Sequence, residues 1–266
     1  MAQVVSATLR QSALQTIPQV EVTDHDRAPL LAQDSSELWH VWQQLYATVS
    51  QTLTQDDEQF YLWVNGKRVL QHSDLAWVDA FAESLKTALS QGEINPEQIT
   101  PTQFNHHPAI RMGDRLVLQI NDSMALKDDE NTDLLIIEWV NNLREALGAE
   151  PLELVEAQTL MYSIAETTDV FEGTASWYGP YFHGRLTANG ETYDQEAFTA
   201  AHPSLPFNTY LKITNLDNNV SAILRINDRG PYIPPRSLDL SRGVARCIES
   251  KDSGVVPYEA VIMTAS

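Results

Sequence analysis

Apolar residues recur along this chain in two rhythms, and the change between them falls near residue 166. Before it, helical spacing dominates. SELWHVWQQLYATVSQTL (36–53) sets Leu38, Trp42, Leu45 and Val49 on one face behind a Ser36 N-cap. LAWVDAFAESLKTALSQG (75–92) predicts an amphipathic helix stopped at Gly92, and LLIIEWVNNLREALG (134–148) a further helix. A short helix over 152–163 is expected next, before an acidic turn, AETTD. Between these, FYLWVNGKRVL (60–70) reads as two strands around an Asn-Gly turn and AIRMGDRLVLQI (109–120) as another hairpin-like pair. INPEQITPTQ (94–103) reads as turn-rich.

After residue 166, short β-branched runs alternate with glycines. ASWYG (175–179), TAAH (199–202), LKITNL (211–216), AILRIND (222–228) and YEAVIMT (258–264) predict strands, and SRGVARCI (241–248) a helix started near Asp239 or Ser241. Seven of the eleven glycines lie in 171–266, as tight turns and bulges in a small barrel require. The expected organisation is a flexible segment over 1–35, an acidic α+β module over 36–165, and a mainly-β domain over 166–266.

Charge follows the same division. Residues 1–170 carry 26 acidic and 9 basic side chains, and residues 171–266 carry 10 and 8. An acidic module repels phosphate backbones, which argues against nucleic acid as a partner. No stretch has the roughly 18 apolar residues of a membrane span. The single cysteine, Cys247, excludes an intramolecular disulfide and reads as a buried apolar residue. His106 and His107 read as a loop pair. Trp39, Trp42, Trp63, Trp77 and Trp139 fall in predicted elements and read as core.

The candidate chemistry lies in the C-terminal domain. NGETYD places Glu191 and Asp194 just after an Asn-Gly turn, TAAH supplies His202, and INDRGP sets Asp228 at the end of an apolar strand, followed by Arg229. A carboxylate emerging from a barrel strand is partly desolvated, which favours its protonated form, while a neighbouring cation pulls the other way. Such a balance suits an acid that must work near neutral pH. Tyr178 and Tyr181 are candidates for stacking on sugar rings. Arg185 and Arg229 suit either substrate carboxylates or pairing with Glu191 and Asp194. Asp239 reads as a structural tie. A metal site built from His183, His202 and Asp228 is the less favoured reading, and no cofactor is expected.

ASWYG, FHGRLTANGE (182–191), TAAH, LPF (205–207), TNL (214–216), RINDRGP (225–231) and DLS (239–241) occur in this order over about seventy residues. Together they resemble the double-psi β-barrel of the rare lipoprotein A family, bacterial enzymes acting on peptidoglycan glycan strands. The resemblance implies a six-stranded barrel of the kind also found in expansins. It implies lytic transglycosylation, with Asp228 as acid/base, His202 and Glu191 beside it, and Asp194 at a site position. It implies a periplasmic or cell-envelope location, with any signal sequence removed. Where the family usually has LPFGT this chain has LPFNT, and Asn208 tolerates the positive φ that glycine would supply. The rival expectation is an expansin-like module that binds polysaccharide without cutting it. The N-terminal module has no recognisable catalytic pattern, and a cell-division or wall-synthesis protein is its expected partner.

Overall fold

The structure, a computed structural model, describes residues 20–24, 59–90, 95–120 and 131–266. The helix expected over 36–53 and the stop at Gly92 lie outside these residues.

Val20–Thr23 forms strand β1, which corrects the expectation of a flexible segment at those four residues. It pairs antiparallel with β2 (Phe60–Val64), which turns through Asn65 and Gly66, both at positive φ, into β3 (Lys67–His72). Positive φ at both central residues gives the turn whose twist matches the flanking strands. Helix α1 (Leu75–Ser90) buries Val78, Phe81, Leu85 and Leu89. The stretch expected to be turns is instead a 3₁₀ turn, Pro96–Gln98, running into strand β4 (Ile99–Phe104). Pro101 argues against a strand from sequence, but β4 is an edge strand of its sheet, where Pro101 sits opposite Ile110 of β5 (His107–Met112). Strand β6 (Arg115–Gln119) completes this second three-stranded sheet. His106 is a turn residue at positive φ and His107 opens β5.

Helix α2 (Thr132–Ala146) starts at Asn131, whose Oδ1 accepts the Leu134 amide, and α3 (Leu154–Tyr162) follows. Both sheets and the helices share one core that includes Leu62, Phe81, Leu85, Ile110, Trp139 and Leu143. Trp63 is buried, with its indole N–H donating to Thr23, and Trp77 packs between Phe81 and Trp139. Packing accounts for these three tryptophans.

The AETTD stretch is not a turn. It lies inside β7 (Ile164–Trp177), which pairs along most of its length with β12 (Val256–Ala265). Strands β8 (Thr199–Ala201), β9 (Tyr210–Asn215), β10 (Ser221–Asp228) and β11 (Arg236–Leu240) complete a closed six-stranded barrel of order β10-β8-β11-β7-β12-β9. Two pairs, β10–β8 and β11–β7, are parallel and the rest antiparallel. This is the double-psi barrel expected from the motifs.

Alternation along β9 and β10 sends Leu211, Ile213, Ala222, Leu224 and Ile226 inward, where they meet Leu238, Leu240, Tyr258 and Ala260. Helix α4 (Arg242–Cys247), N-capped by the Ser241 hydroxyl, adds Val244 and Ala245 to that core. Fully burying one such side chain contributes roughly 1.5–3 kcal/mol, so this core carries much of the barrel's stability. Ile223 points the other way on β10 and is still fully buried, because α3 covers the outer face there with Val155 and Tyr162. Among the described residues no helix is long and apolar enough to cross a membrane.

Candidate active site

Three barrel strands bring the candidate groups together. Asp228 ends β10, at a register irregularity where it pairs with Ala201 of β8. Asp239 of β11 also pairs with Ala201, and Ser176 of β7 lies on the far side of Asp239. His202 follows directly on β8, and its amide donates to the Asp228 carbonyl over 3.2 Å.

The two oxygens of the Asp228 carboxylate meet different groups. Oδ1 accepts the backbone amides of Ala188 and Arg229, each at 2.8 Å. Among the described residues Oδ2 accepts only the Tyr178 hydroxyl, at 3.2 Å. Burial, reinforced by the charge of Asp228, pushes the Tyr178 phenol far above its ordinary range. It therefore stays protonated and serves as a donor. The ring of Tyr178 packs on Tyr193 and Phe182 at centroid distances of 5.1 and 5.8 Å. Tyr178 thus meets Asp228 through its hydroxyl, with its ring packed on neighbouring aromatics.

Glu191 is bound to the strand that ends in Asp228. Its carboxylate takes a two-pronged bond from Arg225, 2.8 Å on each arm, and the Asn227 amide at 3.1 Å. The Arg225 bonds outweigh burial and hold the Glu191 carboxyl down to about 2, so it is ionised throughout the working range. It is Arg225, not Arg185 or Arg229, that neutralises it. The Glu191 main chain closes the turn that carries Ala188: its carbonyl accepts the Thr187 amide at 2.8 Å, and Asn189 donates to the Asn227 carbonyl at 3.3 Å. Asn208 sits at φ +66, as its tolerance of the glycine position implies, and its Oδ1 accepts from Arg225 at 2.7 Å. The asparagine that departs from the family pattern thereby adds an anchor to the same cation.

A carboxyl whose folded-state value is depressed contributes stability that is present above its unfolded value and lost as pH falls. The Glu191–Arg225 pair is therefore expected to support the fold above about 4.5 and to lose that support as pH falls towards 2. Acid titration of unfolding in wild type and Glu191→Gln checks this. The variant is expected to show a shallower loss of stability across that window, and identical curves would contradict it.

His202 accepts the Leu205 and Ser204 amides at Nδ1, over 2.9 and 3.2 Å, so the neutral ring carries its proton on Nε2. Burial first, and then the Arg229 charge, lower its proton affinity, so it is neutral at pH 7 and acts as a donor. Arg229 stacks over Phe207 at 3.7 Å and donates to the His202 carbonyl. His183 accepts the Gln195 amide at Nδ1. No group of three or more potential metal ligands occurs among the described residues.

The other candidates divide into rim and frame. Arg185 stacks over Tyr181 at 3.7 Å, and Tyr181 is 71% exposed. Tyr232, four residues after Asp228, is 75% exposed. The motif reading did not single out Tyr232; its place in the loop following RINDRG is the signal that was available. Asp194 instead serves the frame: its Oδ1 accepts the Glu196 amide at 2.9 Å. Asp239 accepts the Ser176 hydroxyl, with Arg236 close by; it joins β11 to β7, and the helix N-terminus is capped by Ser241 instead. Sequence reasoning also missed Glu196, fully buried and paired with Arg242 and Arg246 one helical turn apart on α4. Cys247 is partly buried, and burial pushes its thiol up to about 11, which keeps it an unreactive thiol.

Residues 170–260 match the family model described as lytic transglycolase. A protein of Synechocystis sp. named probable endolytic peptidoglycan transglycosylase RlpA is 43% identical over 155 residues, covering 55% of this chain and 48% of that protein. The endolytic peptidoglycan transglycosylase RlpA of Campylobacter jejuni is 48% identical over 109 residues, covering 41% of this chain and 40% of its own. The chain thus spans half or less of the length of these curated relatives. An expansin from Clavibacter michiganensis, 16% identical, superposes with a TM-score of 0.30 over 35% of this chain and 50% of its own.

Proposed function

We propose that the barrel of this chain, which resembles the rare lipoprotein A family in the order and spacing of its motifs, is a peptidoglycan lytic transglycosylase acting in the cell envelope. Its bond is the one between N-acetylmuramic acid and N-acetylglucosamine, and its product a 1,6-anhydromuramic end. The names of the relatives support the substrate class. The observation that carries the chemistry is the asymmetry of Asp228: two backbone amides occupy Oδ1, while among the described residues Oδ2 has only the longer Tyr178 contact.

A proton on Asp228 accordingly sits on Oδ2, facing the Tyr178 side. From there it passes to the leaving glycosidic oxygen as the bond from muramoyl C1 to that oxygen breaks. The muramoyl C6 hydroxyl then attacks C1, and its proton goes to the same carboxylate. Asp228 ends as it began and no water is consumed, which distinguishes this route from the two-carboxylate hydrolases. Between the steps, the two amides and the Tyr178 hydroxyl stabilise the carboxylate from fixed positions, so little reorganisation is needed.

Neutral His202 supplies an Nε2–H to the sugar, and Arg229 borders the same cleft. Tyr181, backed by Arg185, and Tyr232 offer exposed rings at the rim for stacking on saccharide faces. Glu191 belongs to the framework of the groove: pinned as an anion by Arg225, it holds the turn that aims Ala188 at Asp228. Asp194 acts alongside it by ordering the following loop.

Mass spectrometry of the soluble products from purified peptidoglycan tests this reading. Anhydromuramic ends are the expected result. Reducing ends would replace the proposal with hydrolysis, and binding without release would replace it with a non-cutting wall-binding module.

A further inference from the structure

The N-terminal module grips the strand that carries Asp228, and it does so through buried polar contacts. Gln158 of α3 is fully buried, and both ends of its amide bond the backbone of Ile223 on β10: Nε2 donates to the carbonyl at 2.9 Å and Oε1 accepts the amide at 2.8 Å. Strand β8 pairs with β10 only from Arg225 onward. Ahead of that point, Gln158 takes the place a neighbouring strand would have. One turn further along α3, Tyr162 stacks on Tyr210 of β9 at 4.9 Å and donates its hydroxyl to Asp133 of α2 at 2.6 Å. Tyr210 is the cross-strand partner of Arg225. Arg225 lies two residues beyond Ile223 and so on the same outer face of β10. It feels the Asp133 charge on one side and binds Glu191 on the other.

We propose that Gln158, Tyr162 and Asp133 are positioning residues for the groove: they fix the outer face of β10, and through Arg225 and Glu191 they hold the 187–191 turn so that Ala188 meets Asp228. The acidic module is then a built-in brace of the active site. This rests on the proposed function only for its consequence in turnover; the mechanical coupling stands apart from it.

Two arguments favour a positioning role over general packing. A fully buried amide that matches both backbone groups of one residue sets register as well as contact, since a shift of β10 breaks both bonds together. The chain of contacts also ends on a carboxylate that takes its bonds from β10 (Arg225, Asn227) and whose own main chain forms the turn carrying Ala188.

The test uses the full chain with Gln158→Ala and, separately, Tyr162→Phe, which keeps the ring and removes only the hydroxyl. Amide hydrogen exchange at 187–191 and 223–228 is expected to be roughly tenfold faster in each variant, while β9 and β12 keep wild-type protection. With samples matched for folded fraction, kcat is expected to fall about tenfold with KM unchanged, as for an interaction felt in the transition state alone. Wild-type exchange at 187–191 in both variants would overturn the brace. So would exchange that rises evenly over the whole barrel, which would mark a merely structural role. Should wild type release no product, the proposed function fails, and the exchange measurement alone then decides the brace.

Discussion

Asp228→Asn is expected to stop release of anhydromuramic ends while leaving the barrel folded. The substitution keeps an oxygen that accepts from Ala188 and Arg229, so both backbone bonds and the geometry of the 187–191 turn survive. What it removes is the exchangeable proton on the side facing Tyr178. General acid–base catalysis by one positioned group contributes about 10²–10⁴ in rate, and a fall of that size is the expected result from initial rates on purified glycan strands. Thermal unfolding is expected to move by less than about 1 kcal/mol, as for substitutions that preserve buried bonds. A variant that keeps wild-type turnover would remove Asp228 from the chemistry. One that loses activity only in proportion to folded protein would make it a structural turn residue.

Gly243→Ala carries the largest expected effect on stability. A Cβ at Gly243 would stand 2.2 Å from the Glu196 carbonyl oxygen and 2.8 Å from its carbon, both backbone atoms. The Gly243 amide meanwhile donates to the Gln195 carbonyl at 2.8 Å, so helix and loop cannot part without losing a bond. Alanine gains about 1 kcal/mol over glycine in a helix interior, and overpacking against an unyielding neighbour costs about 3 kcal/mol. The clash wins, and a net loss of about 2 kcal/mol is expected, against a total of roughly 5–15 kcal/mol for a typical domain. Helix α4 would lift from the 194–197 loop, taking Arg242 and Arg246 away from the buried Glu196 carboxylate. Denaturant unfolding checks this. An unchanged or raised midpoint would mean that α4 shifts at no cost, and that its docking on this loop does not hold the barrel end.

The barrel was readable in advance because its signals are local. AILRIND is a short apolar run of strand length, LPFNT and NGE mark turns by residue type, and Asp228 is displayed by the end of its own strand. Asp239 was legible as a structural residue, but its bond to Ser176, 63 positions away on β7, was not. What escaped were relations between distant residues. The bond from Glu191 to Arg225 spans 34 positions and decides that Glu191 is an anion of the frame and not a proton donor. Gln158 looks like an ordinary polar residue of a short helix; only the missing strand partner at Ile223 explains why it is fully buried. Tyr178 reads as a sugar platform, and its hydroxyl bond to Asp228, 50 positions away, has no local signal. In the N-terminal module, Pro101 concealed β4, since a proline is tolerated only where the strand lies at the edge of its sheet, and that placement is not written locally. The acidic AETTD stretch concealed the start of β7, whose pairing with β12 lies about a hundred residues away.

The central claim is that cleavage in the Asp228 groove proceeds without water, and digestion of purified glycan strands in water enriched in heavy oxygen tests it most directly. Mass spectrometry is expected to find anhydromuramic ends free of the label, because the atom that closes on C1 is the sugar's own C6 oxygen. One labelled oxygen at each new end would contradict the account, since it would make water the nucleophile and require a second carboxylate to activate it.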